Sequence, residues 1–242
     1  MQTTAVEIEH LKKSFGGNSV LKDINLKIEK GENLVVLGKS GSGKSVLIKC
    51  LIGLIEPDDG KMVLLGENVV DLNNEKLNLL RKKVGFLFQG AALYDSMSVG
   101  ENLAFPLRDL KSKPKTEIEE LVKETLKNVG LEDAIDKMPS ELSGGMRKRV
   151  GLARTLILKP EIILYDEPTT GLDPITSKEI SKLILDVQRK NNTASIIITH
   201  DVECARITAN RIVIIRDGTC FAEGSFKELS ESKDEWVHSF FN

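Results

Sequence analysis

A glycine-rich segment near the start of the chain constrains its fold more than any other feature. The segment fits the pattern G-x-x-x-x-G-K-[ST] and lies between an apolar run at 34–37 and an amphipathic run at 46–51. Those flanks supply the strand, loop and helix that a phosphate-binding loop requires. Backbone N–H groups of the curled loop and the positive end of the following helix favour a polyphosphate. The residues of this predicted phosphate loop are Gly38, Lys39, Ser40, Gly41, Ser42, Gly43, Lys44 and Ser45.

Two side chains of the phosphate loop have predicted roles of their own. We expect Lys44 to reach the β- and γ-phosphates of a nucleotide and the Ser45 hydroxyl to ligate Mg²⁺. The alternative is a glycine-rich turn that an unrelated lysine happens to follow. The agreement between the motif and its flanking pattern favours the nucleotide site.

An acidic pair closes a second apolar run, at 162–165, and precedes a proline. Asp166 and Glu167 are therefore expected at the carboxyl end of a buried parallel strand, where open α/β sheets bind ligands. We predict that Asp166 holds the hydration shell of Mg²⁺ and that Glu167 polarises a water in line with the γ-phosphate. An ordinary acidic strand end is the alternative, and the phosphate loop makes it the less favoured one.

Further motifs follow the phosphate loop in a fixed order. They are Gln89 after a strand-like run at 84–88, Leu-Ser-Gly-Gly at 142–145, the acidic pair, Gly-Leu-Asp at 171–173 and Thr-His-Asp at 199–201. In this order the motifs resemble those of the ATP-binding-cassette ATPases over almost the whole chain. The resemblance implies an α/β fold with a P-loop NTPase (RecA-like) core, an N-terminal antiparallel β-subdomain and an inserted α-helical subdomain at about 93–158. It also implies one ATP-binding domain over residues 1–242.

The same resemblance gives a role to the segment at 143–145. It implies that Ser143, Gly144 and Gly145 bind the γ-phosphate of an ATP held by a second copy of the chain, so that two ATP molecules lie between head-to-tail subunits. The residue types agree with this role, because Ser143 is a good N-cap for the helical run at 146–158. Its hydroxyl, the first N–H groups of the helix and the helix dipole would all face one anion.

Five single residues carry over from the family in the same way. Phe15 matches the aromatic residue that stacks on adenine, with a small core residue as the alternative. Gln89 matches the residue that touches Mg²⁺ or water and responds to the transmembrane partner, and Asp173 matches the one that crosses the dimer interface. His200 matches the histidine that grips the γ-phosphate. Val46 replaces the usual second hydroxyl residue, so only its backbone N–H is expected to contact the α-phosphate.

Several departures from the commonest family pattern resemble one branch. Val46, Met146 in place of the usual glutamine, the loop at 90–107 and the tail at 235–241 are similar to ATPases of the MCE-associated lipid transporters, such as the bacterial Mla phospholipid system. That resemblance implies an integral-membrane permease, an MCE-domain protein and a STAS-type regulator as partners. It implies a peripheral ATP-hydrolysing subunit on the cytoplasmic face of the inner membrane.

The sequence leaves two other functions open. The chain could power import or export of a different small molecule, or it could be an ATP-driven mechanical or regulatory switch across a membrane. Only Val46, Met146 and the loop at 90–107 favour lipid transport over another substrate. No feature of the sequence separates transport from signalling.

Composition limits the partners. The formal charge of −2 gives no reason to expect nucleic acid. The three cysteines lack a C-x-x-C pairing, so we expect them to be reduced and not to bind metal. No apolar run approaches the ~20 residues that span a bilayer. A separate membrane subunit must therefore carry any transport path.

Two local patterns bear on partner contacts. Tyr94, Met97, Phe105 and Pro106 follow Gln89 and could line a groove for a helix of the permease, since methionine adapts well at binding surfaces. Ordinary core positions are the alternative. The basic run at 147–149 is expected to form the solvated face of a helix rather than a surface for DNA.

Periodicity predicts the elements around these motifs. Alternation at 6–9 and 24–28 predicts an antiparallel sheet beside the nucleotide core. Apolar residues at 118, 121, 122, 126 and 129 share one face of a predicted helix, which Gly130 should end. The pair Asp217 and Gly218 between two apolar runs predicts a hairpin.

Overall fold

Strands and helices alternate along most of the chain, of which the computed structural model describes residues 4–108 and 114–241. The strands are β1 (Thr4–Phe15), β2 (Asn18–Glu29), β3 (Asn33–Leu37), β4 (Asp59–Leu64), β5 (Glu67–Asn68), β6 (Val84–Leu87), β7 (Ile162–Asp166), β8 (Ala194–Ile198), β9 (Arg211–Arg216) and β10 (Thr219–Gly224). The α-helices are α1 (Lys44–Leu51), α2 (Asn74–Arg81), α3 (Val99–Ala104), α4 (Lys115–Asn128), α5 (Gly144–Leu156), α6 (Pro174–Asn191), α7 (Val202–Thr208), α8 (Phe226–Ser230) and α9 (Glu235–His238).

A parallel sheet forms the centre of the molecule. Strands β9, β3, β8, β7 and β6 lie side by side in that order and run in the same direction. Every residue of β3, β7 and β8 is buried. Helices cover both faces of such a sheet, which explains why these strands are continuous apolar runs. The predicted α/β class is confirmed, and the carboxyl ends of β3, β7 and β8 meet at one edge.

The N-terminal strands β1 and β2 belong to an antiparallel layer that extends the sheet. Strand β1 pairs with β2 through a turn at Gly16 and Gly17, whose φ angles of 54° and 83° favour glycine. Strand β1 also pairs with β4 on its other edge. Thr219 of β10 pairs with Asp23 of β2 and joins this layer to the central strands. The predicted antiparallel sheet is confirmed, and the predicted hairpin at 217–218 joins β9 to β10.

The helices between β6 and β7 have a hydrophobic core of their own. Buried apolar side chains pack between α3, α4 and α5. They include Val99, Leu103, Val122, Leu126, Val129, Val150 and Ala153. Gly130 follows α4 with a φ of 69° and ends the helix there, as the sequence predicts. Among the described residues, no helix is long and apolar enough to cross a bilayer.

A fully buried asparagine holds the loop that precedes α3. Asn102 Oδ1 accepts a hydrogen bond from the backbone N of Tyr94 at 2.9 Å. The Asn102 amide nitrogen donates to the carbonyls of Tyr94, Met97 and Ser98 at 3.0 to 3.1 Å. Ala91 in the same loop has a φ of 60°, which alanine rarely adopts. Arg154 Nη2 also donates to Ala91 O at 2.9 Å, so side-chain hydrogen bonds to the backbone hold this loop.

Replacement of Asn102 by alanine should lower the free energy of unfolding by about 2 to 3 kcal/mol, because buried backbone groups of the loop lose their partner. Urea unfolding followed by circular dichroism measures the change. The control is Asn78→Ala, at an exposed position of α2, which should change the free energy of unfolding by less than about 0.5 kcal/mol. Equal effects of the two substitutions would contradict the role given to Asn102.

Candidate nucleotide site

The phosphate loop has the curled backbone that its glycines allow. It runs from the end of β3 at Leu37 to the start of α1 at Lys44. Gly41 and Gly43 have φ angles of 80° and 97°, in the region that favours glycine. A Cβ atom at Gly43 would lie 2.8 Å from Leu21 Cδ2. A larger residue at this position would push the loop away from β2.

The Lys44 ammonium is folded back into the phosphate loop. Its Nζ donates to the carbonyls of Gly38 at 2.8 Å and Lys39 at 3.1 Å, and the residue is only 7% exposed. Burial lowers the pKa of Lys44, and the charges of Glu167 and Asp166 oppose that change. A buried cation between a curled loop and two carboxylates is placed to meet the negative charge of a polyphosphate.

One hydrogen bond joins the phosphate loop to the acidic pair. Ser45 Oγ donates to Asp166 Oδ1 at 2.9 Å. A hydroxyl and a carboxylate are hard oxygen donors of the kind that Mg²⁺ binds, and water and phosphate oxygens usually complete its shell. In the ranges 4–108 and 114–241, no group of three or more acidic, histidine or cysteine side chains could hold a metal. The hydroxyl of Ser45 and the carboxylate of Asp166 fit Mg²⁺ whose other ligands come from a nucleotide and water.

Glu167 lies one residue beyond β7 and is held at both its backbone and its carboxylate. Its φ of 50° is left-handed, a strained conformation that often marks functional sites. Its N–H donates to Ile198 O at 2.8 Å. Its Oε2 accepts from Thr170 Oγ1 at 3.0 Å and lies 2.8 Å from His200 Nδ1. These contacts fix the direction of the carboxylate.

His200 follows β8 and carries its side chain at the surface, 65% exposed. Because a carboxylate only accepts hydrogen bonds, Nδ1 carries the proton in the contact with Glu167. The next residue, Asp201, caps α7 and accepts a hydrogen bond from Thr169 Oγ1 at 2.8 Å. An exposed imidazole thus lies on a fixed loop, at the edge where the phosphate loop and the acidic pair meet.

The start of α5 packs against the start of α6. Ser143 caps α5 by accepting from Met146 N at 3.2 Å. A Cβ atom at Gly145 would lie 2.5 Å from Thr176 Cγ2 in the first turn of α6. Asp173 caps that helix and accepts from Thr176 Oγ1 at 2.6 Å. The hydrogen bonds from Thr176 lower the pKa of Asp173.

Three further predicted site residues are Phe15, Gln89 and Val46, whose side chains take no part in the hydrogen bonds described above. Phe15 is at the tip of the β1–β2 hairpin and is 47% exposed, with Lys13 Nζ 5.3 Å from its ring centroid. That exposure excludes a core position, which was the alternative for Phe15. Gln89 has an exposed side chain soon after β6. Val46 is half-buried against the core of the sheet.

The predicted residues form two separate groups within one copy of the chain. The first, the loop group, consists of the phosphate loop with Asp166, Glu167 and His200. The second, the signature group, consists of Ser143, Gly144, Gly145 and Asp173 at the starts of α5 and α6. In the described parts of the chain, no hydrogen bond or ion pair joins a member of one group to a member of the other.

The basic run of α5 is not uniformly solvated, and that expectation is wrong for Lys148. Arg147 is exposed, but Lys148 is buried. Its Nζ donates to the carbonyls of Gln89 at 2.5 Å and Glu167 at 3.0 Å. Lys148 is four residues from the buried Leu152 and shares its helix face. That spacing is the sequence signal that indicates a buried side chain here.

Comparison with known proteins decides the family. Residues 21–170 match the family model described as ABC transporter. The chain belongs to the ABC transporter family. Its fold agrees with a solved member, a dimeric structure of a post-hydrolysis state of the ATP-binding cassette MJ0796 bound to ADP and Pi. The TM-score is 0.83 at 32% identity, over 91% of this chain and 98% of that one. The chain is therefore a nucleotide-binding ATPase of the ABC type.

Two relatives of this ABC ATPase bear on its branch. It is 41% identical over 238 residues to the probable ribonucleotide transport ATP-binding protein Mkl of Mycobacterium leprae, over 98% of this chain and 69% of that protein. It is 38% identical over 240 residues to the intermembrane phospholipid transport system ATP-binding protein MlaF of Haemophilus influenzae, over 99% and 91%. The chain spans about two thirds of the length of its mycobacterial relatives. The resemblance to the Mla branch is confirmed.

The packing of α5 on α6 predicts a rescue by a second substitution. Gly145→Ala places a Cβ against Thr176 Cγ2 and should lower the free energy of unfolding by about 1 to 3 kcal/mol. Thr176→Ser removes that methyl group but keeps the hydroxyl that donates to Asp173. The double variant should therefore recover most of the lost stability. Urea unfolding of both single variants and the double variant measures this.

Thr176→Ser alone serves as the control for that cycle and should cost about 1 kcal/mol or less, the value of one buried methyl group. If the two losses simply add in the double variant, Gly145 and Thr176 are not in contact and the packing described for α5 and α6 is wrong.

Proposed function

We propose that this ABC ATPase powers phospholipid transport between membranes, together with a permease and an MCE-domain protein. The observation that carries the proposal is the similarity to MlaF, at 38% identity over 99% of this chain and 91% of that protein. Val46, Met146 and the loop at 90–107 support the same branch. A STAS-type regulator and a position on the cytoplasmic face of the inner membrane belong to the same proposal.

ATP hydrolysis is assigned to the loop group. The N–H groups of the phosphate loop and Lys44 hold the β- and γ-phosphates. Ser45, Asp166 and the Gln89 side chain would hold Mg²⁺, which when bound neutralises charge on the phosphates. Glu167 orients the attacking water, because Thr170 Oγ1 holds its carboxylate and Ile198 O holds its backbone N–H after His200 has turned away.

Two exposed residues complete the nucleotide contacts within one copy. His200 turns from Glu167 to the γ-phosphate, which its exposed ring permits. Phe15 stacks on adenine from the hairpin tip, with the Lys13 ammonium beside its ring. Val46 contributes only its backbone N–H to the α-phosphate, since its side chain packs into the core.

The signature group serves the ATP of a second copy. It has the parts of an anion site, because α5 is a 13-residue helix whose N-cap hydroxyl, first N–H groups and dipole point the same way. Among the described residues no hydrogen bond joins it to the loop group, and we assign to it the γ-phosphate of a nucleotide held by the second copy. In a head-to-tail dimer Ser143 meets the partner's ATP, and Asp173 reaches across the interface. ATP therefore closes the dimer, and loss of the γ-phosphate opens it.

The permease is proposed to dock beside Gln89. The rings of Tyr94 and Phe105 are 4.7 Å apart and are 44% and 36% exposed, so this pair lies at the surface rather than in the core. Met97 and Pro106 are half-buried on the same segment. Because that segment continues from Gln89, a permease helix on the aromatic pair would respond to the state of the loop group.

Transport of a small polar solute is the second candidate function. The ribonucleotide transport named for Mkl favours it, at an identity similar to that of MlaF. The loop group serves both functions equally, because an ATPase subunit acts on ATP and leaves the transported substrate to other chains.

Glu167→Gln should lower ATP turnover by about 100-fold or more, because an amide cannot accept the proton of the attacking water. ATP should still bind, so a closed ATP-bound dimer should accumulate and elute earlier than the monomer in size-exclusion chromatography. Glu56→Gln, at an exposed position without catalytic contacts, is the control and should keep normal turnover. A Glu167→Gln variant that stays monomeric with ATP would count against the sandwich dimer.

Purification of the tagged chain from its native membrane in mild detergent tests the lipid proposal. We expect mass spectrometry to find a permease, an MCE-domain protein and phospholipid. Tyr94→Ala combined with Met97→Ala should remove these partners while nucleotide binding stays intact, because the exposed contact surface is lost.

The control for that variant replaces two exposed apolar residues elsewhere, Val70→Ala with Leu79→Ala, and should retain the partners. Recovery of a permease with a solute-binding protein would favour the second candidate. Undiminished recovery of the permease with the Tyr94 and Met97 variant would refute the docking surface.

A further inference from the structure

Lys148 belongs to α5, yet both acceptors of its ammonium lie outside the inserted helices. The Gln89 carbonyl is 59 residues away in sequence and begins the loop that leads to the aromatic pair. The Glu167 carbonyl is 19 residues away and belongs to the proposed catalytic base. One side chain thus connects α5, the Gln89 loop and the end of β7.

Holding the helix in place through a buried ammonium costs free energy of desolvation. Burial lowers the pKa of Lys148, against the opposing charges of Glu167 and Asp166. An apolar side chain of similar length would fill the space without desolvating a charge. The ammonium provides what an apolar group cannot, which is a fixed position for two backbone carbonyls at once.

The backbone of Glu167 needs such support because it is strained. A residue with a Cβ atom rarely adopts its φ of 50°. Ile198 O holds the Glu167 N–H at 2.8 Å. The Glu167 carbonyl accepts from Lys148 Nζ at 3.0 Å and, less closely, from Thr170 N at 3.3 Å. These contacts fix the peptide groups on both sides of the Cα atom. They therefore also fix the direction in which the side chain leaves the backbone.

The same face of α5 fits closely against the segment at 86–91. Thr155 Oγ1 donates to Phe86 O at 3.3 Å. A Cβ atom at Gly151 would lie 2.9 Å from Ala91 Cβ, so only glycine lets the helix approach this near. The helix and this segment form one packed unit, and Lys148 extends that unit to the proposed base.

We propose that Lys148 is a positioning residue for ATP hydrolysis. Its ammonium holds the Glu167 carbonyl so that the carboxylate stays in line with the attacking water, and it ties this position to the Gln89 loop. Lys148 acts through Glu167, so this inference rests on the proposed role of Glu167. A shift of the Gln89 loop would change the rate of hydrolysis by way of Lys148.

Steady-state kinetics of two substitutions test the proposal. Lys148→Met keeps the length of the side chain but has no donor, and kcat should fall on the order of tenfold while KM for ATP stays within about twofold. Lys148→Arg keeps a cation with several donors and should recover most of the lost kcat. A wild-type kcat for Lys148→Met would overturn the proposal. So would a Lys148→Arg variant as slow as Lys148→Met.

A purely structural role gives a different result. Rates are therefore expressed per folded site, counted with a bound fluorescent ATP analogue, and thermal midpoints are recorded beside them. If Lys148→Met lowers only the midpoint and leaves kcat per folded site unchanged, the positioning role is wrong. Lys123→Met, at an exposed position of α4, is the matched lysine control and should leave both quantities unchanged.

A double variant tests whether Lys148 acts through Glu167. In the Glu167→Gln background, Lys148→Met should lower the residual single-turnover rate by less than about twofold, because both substitutions disable one group. If the two losses multiply, Lys148 acts elsewhere and the proposal is overturned. Wild-type turnover by Glu167→Gln alone would instead remove the proposed base, and this role of Lys148 with it.

Discussion

The parallel register of β3, β8 and β7 is the constraint on which the site depends. Val36 pairs with Ile198, and Ile198 pairs with Asp166, so the three strands end at the same level. The hydrogen bond from Ser45 to Asp166 can therefore join residues that are 121 positions apart. A slip of one residue would turn every side chain of a strand to its other face. The register of these strands thus sets the geometry of the site.

Local chemistry explains why much of this molecule could be predicted from its sequence. The glycines of the phosphate loop and the N-cap Ser143 each favour their backbone conformation without help from distant residues. The architecture could be predicted as well, because a chain that alternates buried strands with amphipathic helices usually folds into a parallel sheet covered by helices. Only the three-dimensional structure shows that the loop group and the signature group are separate. This separation is the reason why a second copy of the chain is proposed to complete the site.

Contacts across the fold could not be predicted in the same way. A lysine on a helix is ordinarily solvated, and the partners of Lys148 are backbone carbonyls, which leave no mark in a sequence. Asn102 is a similar case, since its amide serves the backbone of a loop whose Ala91 has an unfavourable φ. In both cases a side chain binds backbone groups, and these hydrogen bonds override local preference. The left-handed backbone of Glu167 belongs with them, because glutamate has no intrinsic tendency to adopt it.

Under the proposed role of Phe15, the tip of the β1–β2 hairpin would present an aromatic face to the nucleobase. Phe15 presents a ring, and the Lys13 ammonium beside it is already paired with Asp58 at 2.6 Å; neither side chain supplies the paired donors and acceptors that distinguish adenine from guanine. Every base has a π-face, so stacking tolerates a change of base. Selectivity among nucleoside triphosphates would then follow their abundance in the cell, while the phosphate chain supplies most of the affinity. Under the proposed stacking role of Phe15, the described residues of this hairpin would therefore discriminate little between ATP and GTP.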